Sequence, residues 1–325
     1  MSPETLKFLA FTAFGAASLA AGYAARKRGW VTEDASKPMH WHTVVWIWPL
    51  AAVFSIWNLP LRADTLWFIP LEFVLVALPA FVTILLARLI GCDDRRTGVL
   101  AIGAGLGNLG FTLGGYLCFA LIDPPREALA YAVAQVMLMT TFGFMVLYPL
   151  AMHFGPPDAR PAGSAARLVV RSIFDLRSMQ LWGALLGVLL AASPLDAPTQ
   201  VFDWHLLDAV FFLGAFTGYF GIGLRLRLGD SAHYLKEHAL LAAMKFLFIP
   251  ALSATCLALI ALTPVPLAPN ARHVVMIEAF MPTAIQTVIT ANLFHLDARL
   301  ASVAWVWNAV IFAVVVLPVL LVVMG

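Results

Sequence analysis

Gly103-Ala104-Gly105-Leu106-Gly107-Asn108-Leu109-Gly110-Phe111-Thr112-Leu113-Gly114-Gly115 lies inside a long apolar stretch and carries six glycines in thirteen residues. Each glycine costs a helix about 1 kcal/mol relative to alanine, so this run unwinds readily. A second interruption, Glu278-Ala279-Phe280-Met281-Pro282-Thr283-Ala284-Ile285-Gln286-Thr287, sits in another apolar stretch. There Pro282 lacks a backbone donor and its ring clashes with the preceding turn. A plainer reading stays open. Gly103/Gly107 and Gly110/Gly114 are small-residue pairs of the kind that let intact helices pack closely, and Pro282 alone makes a kink.

Around these two stretches the whole chain is apolar. Of its 325 residues 62% are hydrophobic and 12% charged, with a mean hydropathy of +0.88. A soluble domain carries about 25% charged residues. Apolar runs of membrane-crossing length recur at roughly 5–25, 41–57, 65–90, 98–122, 126–154, 178–193, 203–223, 238–262, 271–294 and 300–323. Alternate connections hold Arg26, Lys27, Arg28, Lys37, Arg88, Arg95, Arg96, Arg160, Arg167, Arg171, Arg177, Arg225, Arg227, Lys236 and Arg299. The other connections and the span ends beside them hold only Lys7, Arg62, Arg126 and Arg272, and Lys245 alone lies well inside a span. The positive-inside rule makes the richer set cytoplasmic and puts both termini on the other side. The location expected is the lipid bilayer of a bacterial inner membrane. Arg26-Lys27-Arg28 follow the first apolar run instead of preceding it, which reads as the inner anchor of a helix and not as a signal peptide.

The polar connection 155–177 divides the spans into five and five, so residues 1–154 and 178–325 run in opposite senses across the bilayer. That is the arithmetic of an inverted repeat. Matching details support it: Tyr148-Pro149 and Leu317-Pro318 near the ends of spans 5 and 10, and Glu72 with Pro79 against Lys245 with Pro250 in spans 3 and 8. The fold class expected is therefore an all-α polytopic membrane protein of ten helices in two inverted five-helix repeats, with helices 4 and 9 broken and crossed. Broken helices survive in a membrane only where protein or a cavity surrounds the freed backbone. Their half-helix ends carry partial charges of both signs, which suits an anionic solute.

Other chemistry is not signalled. Cys92, Cys118 and Cys256 have neither disulfide nor ligand spacing, and His40-Trp41-His42 reads as an interfacial anchor. No paired metal-ligand motif, nucleophile elbow or phosphate loop is present, so neither a catalytic residue, a resident metal nor a cofactor is expected, and no nucleic-acid partner.

The spans resemble the auxin efflux carrier family, of the bile acid/auxin-type transporter superfamily, over nearly the whole chain. Gly22-Tyr23-Ala24-Ala25-Arg26-Lys27-Arg28-Gly29-Trp30 is similar to that family's first-helix ending. Gly107-Asn108-Leu109-Gly110-Phe111 resembles its Gly-Asn-x-Gly-aromatic motif, and Ala279-Phe280-Met281-Pro282-Thr283-Ala284 its ninth span. Gly221-Ile222-Gly223-Leu224-Arg225-Leu226, Lys245 to Pro250, Ala301-Ser302 and Pro318 add support. The resemblance implies crossing helices 4 and 9, and a core of helices 3–5 and 8–10 moving elevator-fashion against a scaffold of helices 1, 2, 6 and 7. It also implies homodimers through the scaffold and secondary transport of organic anions, auxin in plants and malate or malonate in bacterial relatives. One departure stands out: the family has proline at the span 4 crossing, where this chain has Gly114 or Gly115.

Asn108 and Thr112 bracket the first break, with Gly114 and Gly115 after it; Pro282, Thr283, Gln286 and Thr287 form the second; Gln135 and Asn308 are further mid-span amides. These are the expected substrate contacts, since amides and hydroxyls bond a carboxylate. They serve equally to satisfy backbone freed by unwinding. Glu72, Lys245 and Glu278 are ionisable within spans and are candidates for gating or for coupling to H⁺ or Na⁺. The function expected is secondary active or facilitative transport of a small carboxylate. A sodium-coupled bile-acid-like symporter and a non-transporting receptor or assembly subunit remain as alternatives.

Overall fold

The computed structural model describes residues 3–57, 66–109, 113–156, 167, 170, 173–196, 198, 200, 204–226 and 233–324. Thr112 and Gly110 of the first break, and most of the 155–177 connection, lie outside the described residues. The described chain is helical. In order come α1 (Pro3–Lys27), α2 (Ser36–His42), α3 (Trp48–Trp57), α4 (Phe68–Leu89), α5 (Asp94–Gly105), α6 (Gly114–Leu121), α7 (Pro125–Phe142) and α8 (Tyr148–Phe154). They are followed by α9 (Met179–Ala191), α10 (Leu206–Arg225), α11 (Leu235–Ala243), α12 (Ile249–Ala261), α13 (Pro269–Ala279), α14 (Ile285–Leu293), α15 (Ala298–Ile311) and α16 (Leu317–Met324). Four continuous helical runs among the described residues are long and apolar enough to cross a membrane: Phe68–Leu89, Tyr131–Phe154, Leu235–Ala261 and Ala298–Val323.

Several of these runs are joined through a single widened turn. The π-helical segments Thr43–Ile47, Gly143–Leu147, Met244–Phe248 and Phe312–Val316 link α2 to α3, α7 to α8, α11 to α12 and α15 to α16. In each case proline is the second residue of the helix that follows: Pro49, Pro149, Pro250 and Pro318. The ring would strike the carbonyl four residues back and offers it no donor, and a wider turn relieves both faults. The paired Tyr148-Pro149 and Leu317-Pro318 thus produce the same local structure. Pro79 does not: it lies inside the continuous α4, where its carbonyl accepts the Thr83 hydroxyl at 2.6 Å.

The chain divides into two compact units, each of two separate segments. One comprises Met1–Pro60 and Ala162–Leu226. Within it α1 packs on α10 and α3 on α9. Gly183 of α9 lies against the Pro49 backbone, where a Cβ would come within 2.6 Å of the carbonyl oxygen. Such contacts bring helices close where no hydrophobic effect drives association. His40 is fully buried in this unit, its Nε2 3.4 Å from the Gly218 carbonyl.

The other unit comprises Leu61–Pro161 and Arg227–Gly325. Its α4 packs on α5 and α7, α13 on α6 and α7, and α15 on α11 and α14. At one end of this bundle Arg96 ties three helix starts together. Its guanidinium is 3.1 Å from Glu237 of α11, 3.8 Å from Asp297 and 3.8 Å from Asp93, and lies over the Tyr234 ring. Asp93 and Asp297 cap α5 and α15 by accepting from the Arg96 and Leu300 amides. Burial and the neighbouring Glu237 push the Cys92 thiol up to about 11, so it stays protonated near neutral pH. Arg96→Ala leaves the buried Glu237 without its cation. Because the guanidinium keeps 28% of its surface exposed, the loss falls below that of a fully buried pair, at about 1–3 kcal/mol. Thermal unfolding of the purified protein measures it; an unchanged midpoint contradicts the assignment of Arg96 as the hub.

Candidate functional site

Both expected interruptions are real. Helix α5 ends at Gly105, the backbone leaves helical geometry at Leu106 with ψ of 120°, and α6 starts at Gly114. Helix α13 ends at Ala279, and α14 starts at Ile285. The two gaps pair with each other. Gly107 and Thr283 form an antiparallel bridge, with the Asn108 amide donating to the Pro282 carbonyl at 2.8 Å and the Ala284 amide to the Leu106 carbonyl at 3.1 Å. Backbone freed from one helix thus satisfies backbone freed from the other, as a buried gap requires.

Glycine forms the first gap where the resembled family has proline. The Gly114 amide donates to the Asn108 carbonyl and the Gly115 amide to the Leu109 carbonyl, at 3.1 and 2.8 Å. The chain therefore folds back on itself, and a Cβ on Gly114 would sit 2.9 Å from the Leu109 Cα. Only glycine fits this approach without backbone movement. The same bonds occupy the Gly114 and Gly115 donors.

Side chains then close around the crossing. The Thr283 hydroxyl lies 3.2 Å from the Gly103 carbonyl and 3.5 Å from Asn308 Oδ1. Lys245, carried on the π turn Met244–Phe248, reaches the Leu106 carbonyl with its ammonium at 3.3 Å. Gly107 donates to the Met139 sulfur at 3.4 Å. Glu72 lies beside the Gln135 amide and within electrostatic reach of Lys245 and Glu278. All three ionisable residues are almost completely buried, at 1% exposure for Glu72, 3% for Lys245 and 2% for Glu278. Sequence placed them in three different spans; the fold gathers them.

Gln286 donates to the Tyr148 hydroxyl at 3.1 Å. Tyr148 is held edge-on between Phe144 and Phe294, with ring centroids 4.6 and 5.0 Å away. Thr287, Thr290 and Asn308 each bury a hydroxyl or amide nitrogen that makes no hydrogen bond. Sequence reasoning did not single out Tyr148, Met139 or Thr290 as site residues. Thr290 was within reach, because it follows Gln286 and Thr287 by four and three residues on one helix face. Nothing local marks Tyr148 or Met139. The Asn108 side chain is half-buried at the crossing.

Apolar spans around a core of paired, broken helices describe an integral membrane protein of the helical transporter class. The family model described as membrane transport protein, whose family includes the auxin efflux carriers, matches residues 167–321, and over that stretch the resemblance read from the span motifs stands. Members of that family are transporters and not typically enzymes. No curated protein matches the chain.

Proposed function

We propose that the protein moves a small organic anion of the carboxylate class across the bilayer, as a secondary or facilitative carrier working by alternating access. The observation that carries this reading is the backbone pairing of the two helix gaps at Gly107 and Thr283, with the Lys245 ammonium lodged on it. Buried donors without partners on Thr287, Thr290 and Asn308 supply hydrogen bonds that a carboxylate can take. Asn108, Thr112, Gln135, Pro282, Thr283 and Gln286 complete the proposed lining. Glu72, Lys245 and Glu278 supply gating or coupling.

In this reading the chain has ten helices in two inverted repeats, residues 1–154 and 178–325. The unit built from Met1–Pro60 and Ala162–Leu226 is the scaffold and the site of homodimerisation; the other is the mobile, elevator-type core. The division into two units of discontinuous segments supports it. The membrane is a bacterial inner membrane, with both termini outside the cytoplasm.

Proteoliposomes offered radiolabelled mono- and dicarboxylates under separate pH, Na⁺ and voltage gradients test the reading. The expected result is saturable accumulation of at least one carboxylate, abolished by Asn108→Ala or Gln286→Ala in protein that still folds. Wild-type uptake by both variants removes these residues from the site. Stoichiometric binding with no accumulation of any anion overturns transport and favours a receptor.

A further inference from the structure

The end of α1 carries Arg26-Lys27-Arg28, and the chain then reverses at Gly29. Gly29 has a φ of 72°, a left-handed conformation that glycine adopts at no steric cost. Its amide donates to the Arg26 carbonyl and the Trp30 amide to the Ala25 carbonyl, each at 3.0 Å. With the Arg28 amide on the Ala24 carbonyl at 2.9 Å, backbone alone closes the helix end. The basic side chains are therefore not needed to satisfy those carbonyls.

The acids that follow are already paired. Glu33 lies 3.1 Å from Arg26, whose guanidinium also donates to the Leu226 carbonyl at 2.7 Å. Asp34 lies 3.6 Å from Lys37. Lys27 and Arg28 are exposed and make no ion pair or hydrogen bond among the described residues. Each rests over a ring instead. The Lys27 ammonium is 5.2 Å from the centroid of Tyr23, and the Arg28 guanidinium 4.9 Å from that of Trp30. A guanidinium held over an aromatic face still offers its N–H edge, which fits two phosphate oxygens. Trp30 itself exposes 70% of its surface.

On the reading that α1 crosses the bilayer, which its 25 residues allow, these groups lie at the membrane–water boundary. An exposed indole settles there, between headgroups and acyl chains. A soluble anion would engage the two cations and leave the indole bare; a phospholipid engages all three. We propose that Lys27, Arg28 and Trp30 form a site for one anionic phospholipid, its phosphate on the two cations and its acyl region against the indole. A zwitterionic lipid brings its own ammonium beside the phosphate and is disfavoured. Occupancy would fix the unit built from Met1–Pro60 and Ala162–Leu226 to its leaflet. The site rests on the topology proposed for α1 and not on transport.

The test is native mass spectrometry of the purified full-length protein in mild detergent, titrated with phosphatidylglycerol or with phosphatidylcholine of the same chains. No carboxylate and no gradient is present, so the result is independent of transport. Preferential retention of phosphatidylglycerol is expected. Lys27→Gln/Arg28→Gln should weaken it at least about tenfold, two cations near the lipid surface being removed. Trp30→Ala should weaken it too, and is the second variant should the pair fail to fold. Arg28→Lys keeps the charge, loses the planar fork and should bind measurably less than the parent. Arg95→Gln removes an exposed cation of the other unit and should change nothing. Equal retention of the two lipids overturns the site. So does parental binding by Arg28→Lys, or a loss with Arg95→Gln that matches the pair, because diffuse charge then explains the attraction. Displacement of the lipid by inorganic phosphate at equal concentration overturns the lipid as occupant.

Discussion

Lys245→Met abolishes carboxylate uptake, by at least about a hundredfold, and lowers stability by about 1–3 kcal/mol. Methionine keeps the length and apolar stem of lysine, so packing around the π turn is preserved and the charge is what is lost. Two consequences follow from the position of the ammonium. Its bond to the Leu106 carbonyl disappears at the very residue where α5 unwinds, leaving that carbonyl, among the described residues, with the Ala284 amide. Glu72 and Glu278, within electrostatic reach of each other, are then left without the Lys245 charge, in surroundings where neither is more than 2% exposed. A double variant separates the effects. Glu72→Gln/Lys245→Met restores the original charge balance and should recover most of the lost stability, measured by thermal unfolding in detergent. It should not recover uptake, because the cation beside the crossing is still missing. Full uptake by Lys245→Met would remove Lys245 from the mechanism. Stability unrestored in the double variant would mean that the three charges are not energetically coupled.

The glycine run and Pro282 were sufficient to locate both helix gaps, because the cost of glycine and the missing donor of proline act locally. The match of Tyr148-Pro149 with Leu317-Pro318 was legible too, but the widened turn ahead of each was not, because proline alone does not force it: Pro79 sits inside a continuous helix. What the gaps do with their freed backbone was not legible. The Gly107–Thr283 bridge joins residues far apart in sequence, and no local preference encodes that pairing. The expectation that half-helix ends lie open to a solute also depended on tertiary structure. At α6 the Gly114 and Gly115 donors turn back onto Asn108 and Leu109, something visible only once the loop is folded. Glu72, Lys245 and Glu278 stood out singly, since ionisable groups in apolar spans are conspicuous. That they interact electrostatically emerged only from the fold. Likewise Arg96 read as one of many inward-side basic residues, although in the fold it joins Glu237, Asp93 and Asp297.

A graded series across the α1–α10 contact gives the other large effect. Gly22→Val and Gly223→Val each prevent assembly of the unit in which α1 packs on α10, while Gly15→Ala is tolerated. The difference lies in what a new side chain would meet. At Gly22 a Cβ would overlap the Phe220 carbonyl oxygen, and at Gly223 it would overlap the Leu19 carbonyl oxygen and come within 2.8 Å of the Tyr23 nitrogen. Both obstacles are backbone, each glycine resting on the other helix, so relief requires the helices to separate along their contact. At Gly15 the obstacle is the Tyr219 ring edge, at 2.7 Å, a side chain that can turn aside. Overpacking of an adaptable contact costs about 1–3 kcal/mol; separating the backbones forfeits the whole close interface, on which association within a membrane depends. Gel filtration of detergent extracts should show Gly22→Val and Gly223→Val as aggregated or absent. Gly15→Ala should elute like the parent with a midpoint lowered by a few degrees at most. Equal behaviour of all three would mean that the α1–α10 contact is loose, and that neither Gly22 nor Gly223 is required by the approach of the two backbones.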